Sequence, residues 1–213
     1  MNGSVLNLFS DRGILTAKDV TPWQTFSGKG MKFQLQSFNW DDCACVSHLN
    51  MRAFFGLMRM ETVICTPYSK DLPLFSYDGM KLPGKQIVFL EQYDTQVAPV
   101  DLSTMDTVKA AYSDLKDKPM KPAWYDNLKL SPTVYKTGRG PRFMSLVKEM
   151  TTAYINLFPI ARDVDPAVKT ARNSAYVEGL ISNGGPAINT VRDILGNEAA
   201  ETLFRRFLFG TER

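Results

Sequence analysis

A single histidine, His48, serves 213 residues, and only Cys43, Cys45 and Cys65 carry thiols. Three cysteines cannot build a paired disulfide framework, so a reducing compartment, the cytoplasm, is expected. Cys43, Cys45, His48 and Cys65 can be drawn as a zinc site. Yet C-x-C on a strand points both thiols to one face and the usual C-x-x-C knuckles are missing, so no metal is expected. No apolar run approaches the roughly 18 residues that cross a bilayer, so no membrane partner is expected. The opening MNGSVLNLFSDRG lacks a basic stretch followed by an apolar one and does not read as a secretory signal. G-x-G-x-x-G and Walker loops and the G-x-S-x-G elbow are absent, which removes support for nucleotide folds and common hydrolases. A large surplus of one charge is missing too: 25 Lys and Arg stand against 22 Asp and Glu. That balance does not point to nucleic acid. It leaves room for a local basic patch meeting an acidic protein.

What is present is one core's worth of chain, 44% hydrophobic, read as a single domain over 1–213. The first third alternates at period two. MKFQLQSFNW, CACVSHLNMRAFF, LMRMETVICTPY and the stretches 73–80 and 85–94 read as strands joined by short spacers, hence antiparallel neighbours. From about 101 the period changes to that of helices, first in DLSTMDTVKAAYSDLKD. The stretch 119–141, with its prolines and glycines, reads as a long irregular connection. Helices follow: one opened by Pro141, with Phe143, Leu146, Val147, Met150, Tyr154 and Leu157 on one stripe, then one opened by Asp165 and Pro166, then two more. Strands first and helices afterwards predict an α+β layered fold.

Asp78 raises a question of its own. Asp-Gly is a common hairpin signal, so Asp78-Gly79 reads as the place where its strand ends. Strand parity adds a second possibility. His48 and Asn50 are two apart, Thr62 lies on the next strand and Asp78 on the one after. Adjacent, unbulged strands are expected to turn all four to one face. Polar groups on a face that helices cover call for a bound polar ligand or water. TGRGPRF, with Arg139 and Arg142, can hold an anion such as a carboxylate or be a solvated loop.

Several stretches resemble one family. DLPLFSYD (71–78) is similar to the D-L-P-(I/L/M)-F-G-x-D segment of the ferredoxin-dependent bilin reductases. SHLNM (47–51) resembles their x-H-x-E-x strand, and YVEGLISN (176–183) their Y-x-E-x-x-x-x-N helix. ILGNEAAETLFRRFLF resembles their (F/L)-G-x-x-x-A-x-x-(Y/F)-x-x-x-(L/F)-F close. The segments keep the family's order across most of the chain.

The resemblance implies a monomeric three-layer α/β/α sandwich with a central antiparallel sheet. An open-chain tetrapyrrole, biliverdin or a close bilin, would lie between the sheet and the C-terminal helices. It implies no bound flavin or metal. Reduced ferredoxin supplies single electrons, and protein groups and water supply protons, through bilin radicals to a phycobilin-type product. On this analogy Asp78 is the central proton donor, His48 the strand histidine that organises water and protons, and Asn183 a helix-end residue facing the bilin.

Two departures stand out. Asn50 replaces a glutamate that in some members protonates a vinyl group, and Thr62 replaces a second sheet histidine. Placing Thr62 there requires a one-residue gap, without which Glu61 takes the position. Ser76 also replaces a glycine. These changes argue against the four-electron phycocyanobilin type and for a two-electron reduction at a methine bridge or a different regiochemistry.

Arg139, Arg142 or Lys85 would meet the bilin propionates. Arg205 and Arg206 would dock acidic ferredoxin or form a solvated helix face. An aspartate ionises near pH 3.9, so a donor must be covered by an apolar pocket that raises its pKa. Tyr77 points to the other face, so that cover must come from the helices. A non-catalytic bilin binder of the same fold is the alternative.

Overall fold

A computed structural model describes residues 5–212. Eight antiparallel strands form one sheet: β1 (Leu15–Ala17), β2 (Thr25–Gly28), β3 (Met31–Trp40), β4 (Ala44–Ala53), β5 (Met58–Pro67), β6 (Leu74–Leu82), β7 (Lys85–Tyr93) and β8 (Lys129–Gly138). From β3 to β8 the spatial order follows the sequence, while β1 and β2 share the outer edge of β3. Short connections join the neighbours from β3 to β7, because two antiparallel strands need only a hairpin to meet, and a longer connection that includes a helix leads to β8.

Alternation sends one set of side chains to each side of the sheet. On one side Val46, Val63, Cys65, Phe75, Tyr77, Val88, Leu90 and Val134 form a core with α1 (Leu6–Ser10), α2 (Ser103–Ala111) and α3 (Arg142–Ile155). The buried stripe of α3 is Phe143, Leu146, Val147, Met150 and Tyr154, as its spacing predicts. On the other side Leu35, Ile64, Leu74 and Tyr93 meet α4 (Pro166–Asn183), α5 (Pro186–Leu195), α6 (Asn197–Thr202) and the π-turn Leu203–Leu208. The result is the expected α/β/α sandwich. Tyr77 lies in the first core, away from the C-terminal helices, also as parity predicts. Among the described residues, no helix is long and apolar enough to cross a membrane, and no cluster of His, Cys, Asp and Glu could hold a metal ion.

Two expectations are corrected. The stretch 119–141 contains strand β8, an edge strand whose Pro132 disguised it. Proline gives no N–H to a ladder and is tolerated at an edge. Asp78-Gly79 is not a turn, since β6 runs on to Leu82 and the chain reverses at Pro83-Gly84. Gly79 serves another purpose: a Cβ there would collide with the Tyr77 hydroxyl, so the phenol lies across the glycine.

Polar side chains fix the start of α4 and the loop that leads to it. Asp165 caps its first turn by accepting from the Ala167 N–H, with Pro166 at the first helical position. Asp71, which opens the DLPLFSYD stretch, is 1% exposed. It accepts from the Val97 and Ala98 N–H groups and from Arg162 at 2.5 Å. Burial alone would raise its pKa, but Val97, Arg162 and Ala98 together hold it below the usual carboxylate range. A depressed carboxyl stabilises the fold above its unfolded pKa, and the contribution fades as pH falls through the folded value. Asp71→Asn should therefore cost roughly 1.5–3 kcal/mol at neutral pH, the worth of hydrogen bonds to a charged group. Urea melts at pH 7 and pH 3 check this, and the gap between variant and parent should narrow at the lower pH.

Candidate active site

Strand pairing writes the site as rows across the sheet. Leu35, Leu49, Thr62, Asp78, Phe89 and Tyr135 face one another in register, all toward α4–α6. The next row is Phe33, Met51, Met60, Met80, Ile87 and Thr137. Leu49, Met60, Asp78, Met80, Phe89 and Tyr135 are only half-buried. Together they make an apolar, methionine-rich floor with one carboxyl in it. Methionine is flexible and polarisable, so such a floor adapts to a flat ligand.

Asp78 is crowded by protein atoms yet partly reachable from solvent. The Thr62 hydroxyl donates to its Oδ1. Burial pushes its pKa up to about 6; Thr62 opposes the rise and the charge of Glu91 adds to it. On the same side of the sheet lie Tyr176 of α4 and Tyr125 of the loop before β8, both within electrostatic reach of Asp78.

Glu91 is the second carboxyl on this face. The β7–β8 register slips between Leu90 and Gln92, so Glu91 has no residue in register with it across the ladder, and irregularities of this kind re-aim side chains. Glu91 accepts from Tyr93 at 2.6 Å and Tyr135 at 2.5 Å and pairs with Lys129 at 3.0 Å. Burial would lower the Lys129 pKa, but Asp126, Tyr135 and Glu91 raise it above the usual range, which keeps the ammonium charged. Tyr93 lies against Tyr176 with ring centroids 4.4 Å apart. Three partners thus hold the buried Glu91 side chain in one place.

Of the residues picked from the sequence, the structure brings Thr62 and Asp78 together here. It puts His48 and Asn50 on the opposite face, which corrects the shared-face expectation. The β3–β4, β4–β5 and β5–β6 ladders carry no bulge; the turn after β4 sets the offset. Ala53 pairs with Met58, so His48 faces Val63, Asn50 faces Glu61 and Leu49 faces Thr62. His48 Nε2 lies 3.1 Å from Glu61 and 3.3 Å from Asn50 Nδ2, and Nδ1 lies 3.3 Å from Gln36. Glu61 also accepts from the Val5 N–H beside α1. Asn183 is exposed at the end of α4 and donates to the Gly179 carbonyl of its own helix at 3.0 Å.

The arginines are likewise elsewhere. Arg142 grips Asp114 at 2.7 Å and the Ala111 carbonyl, tying α3 to α2 in the other layer. Arg139 is exposed, with its guanidinium over Gly84 at the β6–β7 turn. Arg205 pairs with Glu178 and Glu201, so of the two helix arginines only Arg206 is exposed. Two clefts of about 330 and 320 Å3 lie beside the start of α2 and beside Trp40; neither is lined by Asp78 or Thr62.

Sequence reasoning missed Glu91, Tyr135, Tyr176 and the methionine row. Period two over 85–94 held the signal for Glu91, two residues from Phe89 on the same face. No family model and no curated protein matches the sequence. Among solved structures, the crystal structure of selenomethionine phytochromobilin synthase from tomato, in complex with biliverdin, superposes with a TM-score of 0.76. The superposition covers 97% of this chain and 80% of the synthase chain at 14% identity. The chain shares that fold. At this identity the likeness to the synthase concerns backbone architecture, and side-chain roles rest on the geometry given above.

Proposed function

We propose that the protein reduces biliverdin or a close bilin, with single electrons from reduced ferredoxin and Asp78 as a proton donor. The observation that carries this reading is a carboxyl pushed up to about 6, set in an apolar floor under α4, in a fold shared with a biliverdin-bound synthase. A two-electron reduction consumes two electrons and two protons. Each electron makes the tetrapyrrole more basic, and a neutral carboxyl in contact with it can then deliver a proton. The ionised Asp78 is re-protonated from solvent, to which it is partly open. Thr62 holds Oδ1, leaving Oδ2 to carry the proton.

Glu91 supports this by position. Its charge favours the protonated form of Asp78, so Glu91→Gln should lower the Asp78 pKa. The fall of turnover with rising pH should then move to lower pH by a fraction of a unit, which a pH–rate profile measures.

The departures fit a two-electron reaction. Thr62, a hydroxyl, stands beside Asp78 where the resemblance has a histidine. His48 and Asn50 lie beyond the sheet, so the direct proton supply on the ligand face is short. The same shortage favours the second reading, a bilin binder without turnover. One experiment separates them. Purified protein is mixed with biliverdin, its visible spectrum recorded, and a ferredoxin-reducing system added without oxygen. A transient radical band and a blue-shifted product support the reductase. A bound spectrum that does not change leaves the binder, and no spectral shift on mixing sinks both.

A further inference from the structure

The end of the sheet near the β4–β5 turn carries two features that the Asp78 site does not use. The first is apolar. Phe54, Phe55 and Leu57 in the turn are 67%, 109% and 63% exposed. Phe54, Phe55 and Gly56 all have positive φ, at 50°, 56° and 86°. Bulky residues rarely adopt that left-handed conformation, and here it holds two aromatic rings out in solvent. Neither feature serves folding: an exposed phenylalanine buries nothing, and glycine or asparagine would take the turn with less strain.

The second feature is charge. Register sets Lys32 opposite Arg52, Arg52 opposite Arg59, and Arg59 opposite Lys81, one cation on each of four adjacent strands. All four are exposed, and none has an ion-pair partner among the described residues. Like charges directly opposite each other destabilise a sheet. Lys85 adds a further exposed cation at the next turn, so this end alone exceeds the net +3 of the chain. The ladder begins one residue pair inside the aromatic tip, since Ala53–Met58 is the only pair between them.

We propose that this end is a docking surface for an anionic lipid bilayer, with Phe54, Phe55 and Leu57 as the inserting wedge. Charge complementarity decides the occupant's sign: a row of unpaired cations attracts acidic headgroups. Shape decides between a bilayer and an acidic protein. The aromatic tip projects outward, and a bilayer accepts a convex wedge anywhere on its face, whereas a protein must supply a matching pocket. Apolar side chains below a band of cations also match the interface itself, where rings sit at headgroup depth and cations above it. The absence of a spanning segment, which argued against a membrane partner, says nothing about this surface-bound mode.

The test is co-sedimentation of the full chain with vesicles of phosphatidylcholine alone and with a third phosphatidylserine. Binding should appear only with the anionic vesicles and fall at least tenfold between 50 and 300 mM salt. Phe54→Ser with Phe55→Asn, and separately Arg52→Glu with Arg59→Glu, should each reduce it at least tenfold. Far-UV circular dichroism and melting temperature show that both variants are folded, and bilin binding should not change. No vesicle binding by the parent overturns the proposal. Binding that survives loss of both phenylalanines overturns the wedge. Retention by an immobilised acidic ferredoxin without any vesicle binding overturns it too and assigns the surface to a protein.

Discussion

Asp78→Asn should lose bilin turnover by about 10²–10⁴-fold, the usual contribution of a general acid, while the protein becomes more stable at pH 7–8. The two effects share one cause. In the unfolded chain the carboxyl ionises near 3.8, and in the folded protein at about 6. Between those values the folded state binds the extra proton, so this group's contribution to stability falls as pH rises. It is fully present below about 3.8 and lost once pH passes about 6. At neutral pH the folded protein holds a poorly solvated carboxylate at a cost on the order of 2–3 kcal/mol. Asparagine removes the charge and still accepts from the Thr62 hydroxyl. The melting temperature at pH 7.5 should rise by roughly 4–8 °C, and the gain should vanish near pH 4. Biliverdin should still bind. A turn residue behaves in the opposite way, losing stability and leaving turnover alone. Parent turnover should fall as pH rises through about 6, because only the neutral form donates.

The largest loss of stability is expected at Lys169. Its ammonium is fully buried in α4 and donates to the Leu72 and Thr95 carbonyls, each at 2.6 Å, and to the Thr95 hydroxyl at 3.2 Å. Lys169→Ala strands these oxygens in the interior and opens a cavity, at a combined cost of about 3–5 kcal/mol. Chemical denaturation at pH 7 reads this as a shift in midpoint. Burial lowers the Lys169 pKa to about 8, against the attraction of Asp71 and Asp94. Between about 8 and 10.5 the unfolded chain holds a proton that the folded protein has released. The parent's stability from this group therefore rises with pH across that window and falls as pH drops through about 8. Lys169→Met, which fills the volume without titrating, should flatten that slope. An unchanged slope would mean that the ammonium stays charged throughout.

The sequence yielded the layers because burial leaves a periodic record: period two through β3–β7 and the α3 stripe are both dictated by which side faces a core. β8 escaped because Pro132 and an irregular register erase that record at an edge. Asp78 and Thr62 were legible together because β5 and β6 pair Thr62 with Asp78 directly. His48 and Asn50 were misplaced by a quantity that residue types do not report, the length of the Phe54–Leu57 turn. That turn pairs even-numbered positions of β4 with odd-numbered ones of β5. Glu91 was hidden for a related reason, since its importance comes from partners on β8 and the register slip beside it. Asn183 matched a pattern, but at the exposed end of α4 it bonds to its own helix.

α4 is fastened at both ends. Near its start Lys169 and Asn173 hold the Leu72, Thr95 and Pro67 carbonyls, and at its finish Trp124 donates to Gly184 at 2.9 Å. A roof nailed at both gables does not lift. The helix is thus a fixed wall, and adjustment on the sheet face beside Asp78 falls to side chains such as the half-buried Met60 and Met80, whose thioethers change rotamer within nanoseconds.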